Sequence, residues 1–179
     1  GFDERAAFRL LGQIISSPFY EEIRTNRQLG YIVYATPFEM LEMPALGLVV
    51  QSPEASAQEI DQAIAEFSSD FEETLGDLSD TELEREKQAV ISKLNEQERT
   101  LGEISERFWR EIDRGVTDFD SRERLVEAVK AVDQEQLLNI YRSAALERHR
   151  ALQVITTPPD EETAASPQAR PRPSEAPAS

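Results

Sequence analysis

Helical periodicity is the strongest constraint on this chain. Between Ala57 and Leu75, residues Ile60, Ile64, Phe67, Phe71 and Leu75 fall on one stripe of a 3.6-residue repeat. Such a segment folds by burying one face and leaving the other in water. Gly76 stops it, and Ser79-Asp80-Thr81-Glu82 is a capping-box pattern that opens the next helix, with Leu83, Val90 and Leu94 inward. The pattern predicts a further helix over Leu101 to Asp113, with Leu101, Ile104, Phe108 and Ile112 inward and Gly115 closing it. Ser121 to Ala131 is another, and Asp133 begins the last, through Leu137, Ile140, Tyr141 and Ala144. At the start of the chain, Ala6, Ala7, Leu10, Leu11, Ile14 and Ile15 predict a helix over residues 5–16. Ser17 and Pro18 punctuate it and predict a second, shorter helix through Phe19, Tyr20, Ile23 and Arg24 to about Gln28, ended by Gly30.

Three segments break the helical pattern. Residues 31–36 and 45–52 are rich in β-branched and aromatic side chains and read as strands, antiparallel if joined by the short 37–44 connection. Neither alternates cleanly with polar residues, which predicts burial on both faces or pairing inside a larger sheet. Residues 151–156 read as a closing strand. The class is therefore α+β: an antiparallel sheet packed by several helices. Three strands are few for so many helices, and the chain opens on Gly1 rather than Met. The expectation is that the chain is cut from a longer one whose missing strands complete the sheet. Residues 1–157 are expected to form the domain. Residues 158–179, which hold six of the ten prolines and almost no bulky apolar side chain, are expected to be a disordered tail.

Composition narrows the function. With 35 acidic and 19 basic residues the formal charge is −16, so phosphate backbones and anionic lipid surfaces repel the chain. Neither a nucleic-acid nor a membrane partner is expected. No cysteine is present, which removes disulfides, thiol nucleophiles and thiolate metal sites. No apolar run reaches the roughly 18 residues of a membrane span, and no signal peptide is visible. His149 is the only histidine, flanked by Arg148 and Arg150, and it reads as a surface residue. No paired-histidine metal motif, Ser-His-Asp set or Gly-rich phosphate loop can be assembled, so no catalytic residue and no metal ligand is assigned to this chain.

One segment stands apart. In Arg24-Thr25-Asn26-Arg27-Gln28-Leu29-Gly30-Tyr31 a helix ends in two cations and a glycine, then delivers a tyrosine to the start of a strand. Arg24 brings a fork of donors suited to a carbonyl or carboxylate, and Tyr31 brings one hydroxyl. Donors aimed where negative charge develops on oxygen stabilise acyl-transfer transition states. The spacing alone favours a structural arginine at a helix C-terminus and a core tyrosine.

This segment resembles the R-x-x-x-Q-L-G-Y pattern of the pitrilysin and insulin-degrading enzyme family, whose every fixed position it meets. Leu11-Gly12-Gln13-Ile14-Ile15-Ser16-Ser17-Pro18-Phe19-Tyr20 is similar to the helix and Pro-aromatic turn that precede the pattern in that family. Gln51-Ser52, Leu78-Ser79, Phe108-Trp109-Arg110-Glu111-Ile112 and Phe119-Asp120 follow in the family's order. The likeness covers residues 5–156. It implies one of four similar α+β domains in an enzyme whose two halves close around a peptide. It implies zinc in the N-terminal half, on an H-x-x-E-H motif with a distal Glu that this chain does not contain. It further implies that Arg24 and Tyr31 contact the substrate near the scissile bond. This chain would then be the non-catalytic end of a zinc metalloendopeptidase of oligopeptides, inactive alone. Its partners would be the N-terminal half, on the same chain or another, and a peptide. Pitrilysin-like relatives suggest a bacterial periplasm. The alternative is an inactive structural or peptide-binding half of a peptidase-like complex.

Overall fold

The structure, a computed structural model, describes residues 1–40, 43–147 and 151–156. The expected tail at 158–179 and His149 lie outside the described residues. The chain begins with one long helix, α1 (Phe2–Tyr20), which runs into a π-helical turn at Glu21–Asn26. The expected break at Ser17 and Pro18 does not occur, because Pro18 lies inside α1. Proline forfeits one helix hydrogen bond at a cost of about 3 kcal/mol. Phe19 and Ile23, however, extend the stripe of Ile15, and all three are essentially inaccessible. Burying the two extra side chains contributes about 1.5–3 kcal/mol each, which offsets the proline.

Two strands follow, β1 (Ile32–Met40) and β2 (Met43–Gln51), paired antiparallel from Ile32 opposite Gln51 to Met40 opposite Met43. Most of the segment expected to be a loop, 37–44, is strand. Burial is one-sided, against the first of the two expected alternatives, burial on both faces: Val33 and Ala35 face α1, while Ile32, Tyr34 and Phe38 on the other face are exposed. One helix layer covers one face, and no described element covers the other. The approach of α1 is close, since a Cβ on Gly12 would stand 2.5 Å from Pro37 Cδ.

The remaining helices are α2 (Ala57–Gly76), α3 (Asp80–Leu94), α4 (Leu101–Asp113), α5 (Ser121–Ala131) and α6 (Gln134–Tyr141), the last continuing into a π-helical turn at Arg142–Leu146. Their starts are set by local chemistry. Ser56, Ser79 and Thr100 each cap a helix and are capped in return by Glu59, Glu82 and Glu103, satisfying backbone donors that would otherwise be orphaned. Asp133 caps α6 by accepting from the backbone N–H of Gln136 at 2.7 Å.

The core gathers around α1, which packs on the hairpin, α3, α5 and α6. Phe19, Phe67, Phe71 and Tyr141 form a chain of aromatic contacts with centroids 5.2–5.4 Å apart. The Tyr141 hydroxyl donates to the Ser68 carbonyl at 2.7 Å, and the buried Lys87 ties α3 to α5 by donating to the Lys130 carbonyl at 3.0 Å.

Two further expectations fail. The α4 span is as expected, but its apolar face looks outward: Leu101 is 81% and Ile112 50% exposed, and Phe108 and Trp109 are exposed with them. Glu111 is the buried residue of α4, accepting from Ser121 Oγ at 2.5 Å. Periodicity marks a face as apolar but does not say what covers it. Residues 151–156 are exposed and form no strand with the described residues. An apolar run becomes a strand when a neighbouring edge offers it hydrogen bonds, and it meets none here. Among the described residues, the sheet has two strands.

Candidate substrate-contacting site

The candidate site is the turn that carries α1 into β1. The π-helical turn places Arg24 one residue beyond the buried Ile23. The backbone then folds back, with the Leu29 N–H donating to the Ile23 carbonyl at 3.0 Å and the Arg27 N–H to the Glu22 carbonyl at 3.0 Å. The left-handed position of this reversal is Gln28, with φ of 55°, two residues before Gly30. Gly30 is required for a different reason. A Cβ there would meet Val33 Cγ2 at 2.5 Å and Val50 Cγ1 at 3.0 Å, so glycine lets the chain drop onto the sheet. Tyr31 then joins the ladder, its N–H donating to the Gln51 carbonyl at 2.7 Å.

Side chains fix this turn to α2. Arg27 Nε donates to Glu22 Oε1 at 2.7 Å, and Arg27 Nη1 to Glu66 Oε2 at 2.5 Å. Asn26 and Gln62 supply further donors to the same two carboxylates at 2.9 Å each. Hydrogen bonds from Arg27 and then Asn26 hold the Glu22 carboxyl below its ordinary range; those from Arg27 and then Gln62 do so for Glu66. Glu22 and Glu66 in return raise the pKa of Arg27.

The two cations of the motif therefore differ. Arg27 is committed to structure, a role the sequence did not disclose because Glu66 is 39 residues away. Arg24 is half-buried and makes no side-chain hydrogen bond or ion pair among the described residues. Tyr31 is 73% exposed, so it is not a core tyrosine. The turn thus carries an uncommitted guanidinium near one end of a backbone reversal and an open phenol at the other. Chemically, the pair can donate to an oxygen that carries or develops negative charge.

No metal centre accompanies them. Among the described residues, no group of three or more His, Asp or Glu is placed to hold a metal ion. These described residues do not fit a zinc site. Among the same residues, no helix is long and apolar enough to cross a membrane.

This helix-rich α+β architecture is shared with large peptidases. Residues 10–109 match the family described as PQQ synthase PqqF-like, C-terminal lobe domain 4. Protease 3 of Salmonella typhi is 32% identical over 150 residues, covering 82% of this chain and 16% of that protein. Coenzyme PQQ synthesis protein F of Pseudomonas protegens is 35% identical over 106 residues, covering 59% and 13%. The crystal structure of pitrilysin superposes with a TM-score of 0.77 at 30% identity, over 82% of this chain and 16% of that one. The chain belongs to the pitrilysin family of metallopeptidases, as a C-terminal domain. It spans about one sixth of the length of the curated Protease 3 relatives it matches.

Proposed function

We propose that this chain is the substrate-positioning end of a zinc metalloendopeptidase, with residues 1–157 acting as one unit. Arg24 and Tyr31 donate hydrogen bonds to the carbonyl oxygen of the scissile peptide as it becomes an oxyanion. The observation that carries this reading is the division of labour in the turn: Arg27 is doubly paired and pins the loop, while Arg24 has no partner among the described residues and Tyr31 is open to a ligand. A free cation on a rigid support is pre-organised, so little reorganisation is spent when charge develops. The metal and the group that removes a proton from water belong to the N-terminal half of the same enzyme, as the family likeness of the motif implies. The substrate is an oligopeptide held between the halves.

The test is peptide turnover by the whole enzyme. Tyr31→Phe removes one transition-state donor and is expected to lower kcat by roughly 10²–10³ with KM nearly constant. Arg24→Gln is expected to act in the same direction. Unchanged kcat in both variants, with the fold intact, refutes the assignment. Peptide binding without cleavage by the whole protein would leave these residues as ligand contacts in an inactive half.

A further inference from the structure

A second polar site lies at the far end of the hairpin, eight residues along β1 from Tyr31 and so about 26 Å away. A cavity of about 230 Å³ opens there between α1, the hairpin and α4, with Phe8, Pro37, Phe38 and Pro44 as apolar walls. Arg5 and Arg9 of α1, Arg110 of α4 and Arg114, which follows the last residue of α4, reach it. Among the described residues lining the cavity, one carboxylate faces these four guanidiniums. Glu39 accepts from Arg5 Nε at 3.0 Å and from Arg114 Nη2 at 2.6 Å, and it stands 3.6 Å from Arg9 Nη2. Among the described lining residues, four positive charges stand against one negative, in a chain whose formal charge is −16.

The donors are not used up. Arg9 Nε is buried without a hydrogen-bond partner among the described residues. Arg110 has a single long bond, from Nε to the Glu106 carbonyl at 3.4 Å. A buried N–H left unmade is costly and marks a place where an acceptor is missing. Burial lowers the pKa of Arg9, with Glu39 opposing it.

We propose that this cavity binds a small oxyanion, a phosphate or carboxylate group, gripped by Arg9 and Arg110 while Glu39 holds Arg5 and Arg114 in place. Planar guanidinium forks match both groups. The volume equals roughly seven or eight waters at about 30 Å³ each, enough for a phosphate, a pyrophosphate or a small polycarboxylate. The inference is independent of the peptide-positioning reading, since it uses none of the same residues.

Isothermal titration of the protein as the cell makes it, at fixed chloride ionic strength, tests this with inorganic phosphate, pyrophosphate and citrate. Saturable one-site binding of at least one probe is expected. Response to the two phosphate probes alone identifies a phosphate site, and response to citrate alone a carboxylate site. Arg9→Gln and Arg110→Gln should each weaken binding about tenfold or more. Arg85→Gln, which removes an exposed charge elsewhere, should change it less than about twofold. Glu39→Gln removes the competing anion and should tighten binding, an outcome that misfolding cannot imitate. Circular dichroism checks that each variant is folded. Absence of saturable binding overturns the proposal, and is the result expected if an acidic side chain elsewhere in a longer protein fills the cavity. Equal effects of Arg9→Gln, Arg110→Gln and Arg85→Gln, or weaker binding by folded Glu39→Gln, also overturn it.

Discussion

Replacing Tyr141 by phenylalanine should change the sign of its effect on stability as pH rises. Tyr141 is completely buried between α2 and α6, and its hydroxyl donates to the Ser68 carbonyl at 2.7 Å. At pH 8 the variant loses that hydrogen bond and about 1 kcal/mol. The loss is not larger because the Ser68 carbonyl sits inside α2 and keeps its helical partner. Burial, opposed by the Ser68 bond and helped by Glu72, pushes the phenol up from 10.0 to about 12. A phenol is neutral when protonated, so a raised folded pKa means that the folded state holds its proton more tightly. The resulting contribution is complete below pH 10, the unfolded value, and is lost as pH rises from there through about 12. Two pH units correspond to about 2–3 kcal/mol. Phenylalanine has nothing to titrate. The wild type should therefore be the more stable protein at pH 8, equal to Tyr141→Phe near pH 11, and the less stable by about 1–2 kcal/mol beyond pH 12. The assay is urea unfolding of both proteins, followed by circular dichroism, at each pH. Their difference removes the general self-repulsion of a chain this acidic. A difference that stays constant from pH 8 to 12 refutes the reasoning, because it means that ionising Tyr141 costs the folded state no more than the unfolded one.

Other perturbations probe the elements that support the two sites. Gly12→Ala drives a Cβ to within 2.5 Å of the Pro37 ring and should cost about 1–3 kcal/mol in urea unfolding by separating α1 from the hairpin. Gln28 has a φ of 55°, so Gln28→Val should destabilise by about 1–2 kcal/mol, whereas Gln28→Gly should stay near wild type. Burial works to raise the Glu39 carboxyl, but the hydrogen bond from Arg5 and the charges of Arg5, Arg114 and Arg9 outweigh it and hold it below its ordinary range. Its folded pKa is depressed, so its stabilisation is present above the unfolded carboxylate value and is lost as pH falls through the folded one. Glu39→Gln should accordingly flatten the acid limb of the stability profile.

The amino-acid sequence determined what depends on neighbours within a few positions. The spans of α2 to α4 follow from apolar repeats and capping boxes, since the Ser or Thr and its Glu lie three residues apart and settle the helix start between themselves. The Arg24 to Tyr31 turn was equally legible, because its residue types are fixed by a helix end, a reversal and a strand start in eight consecutive positions. Tertiary structure decided whatever depends on a distant partner. The continuation of α1 through Pro18 reflects burial of Phe19 and Ile23 against α2 and the rest of the core, which local propensity does not contain. The outward apolar face of α4, the single buried face of the hairpin and the unpaired 151–156 segment each turn on which neighbour is present to cover or pair with them. The separation of Arg24 from Arg27 rests on Glu66, and the arginine cavity draws on α1, β1 and α4 together. Periodicity specifies which face of an element is apolar and local spacing specifies how it begins and ends. Which charge meets which across tens of residues is set by the packing that brings the elements side by side.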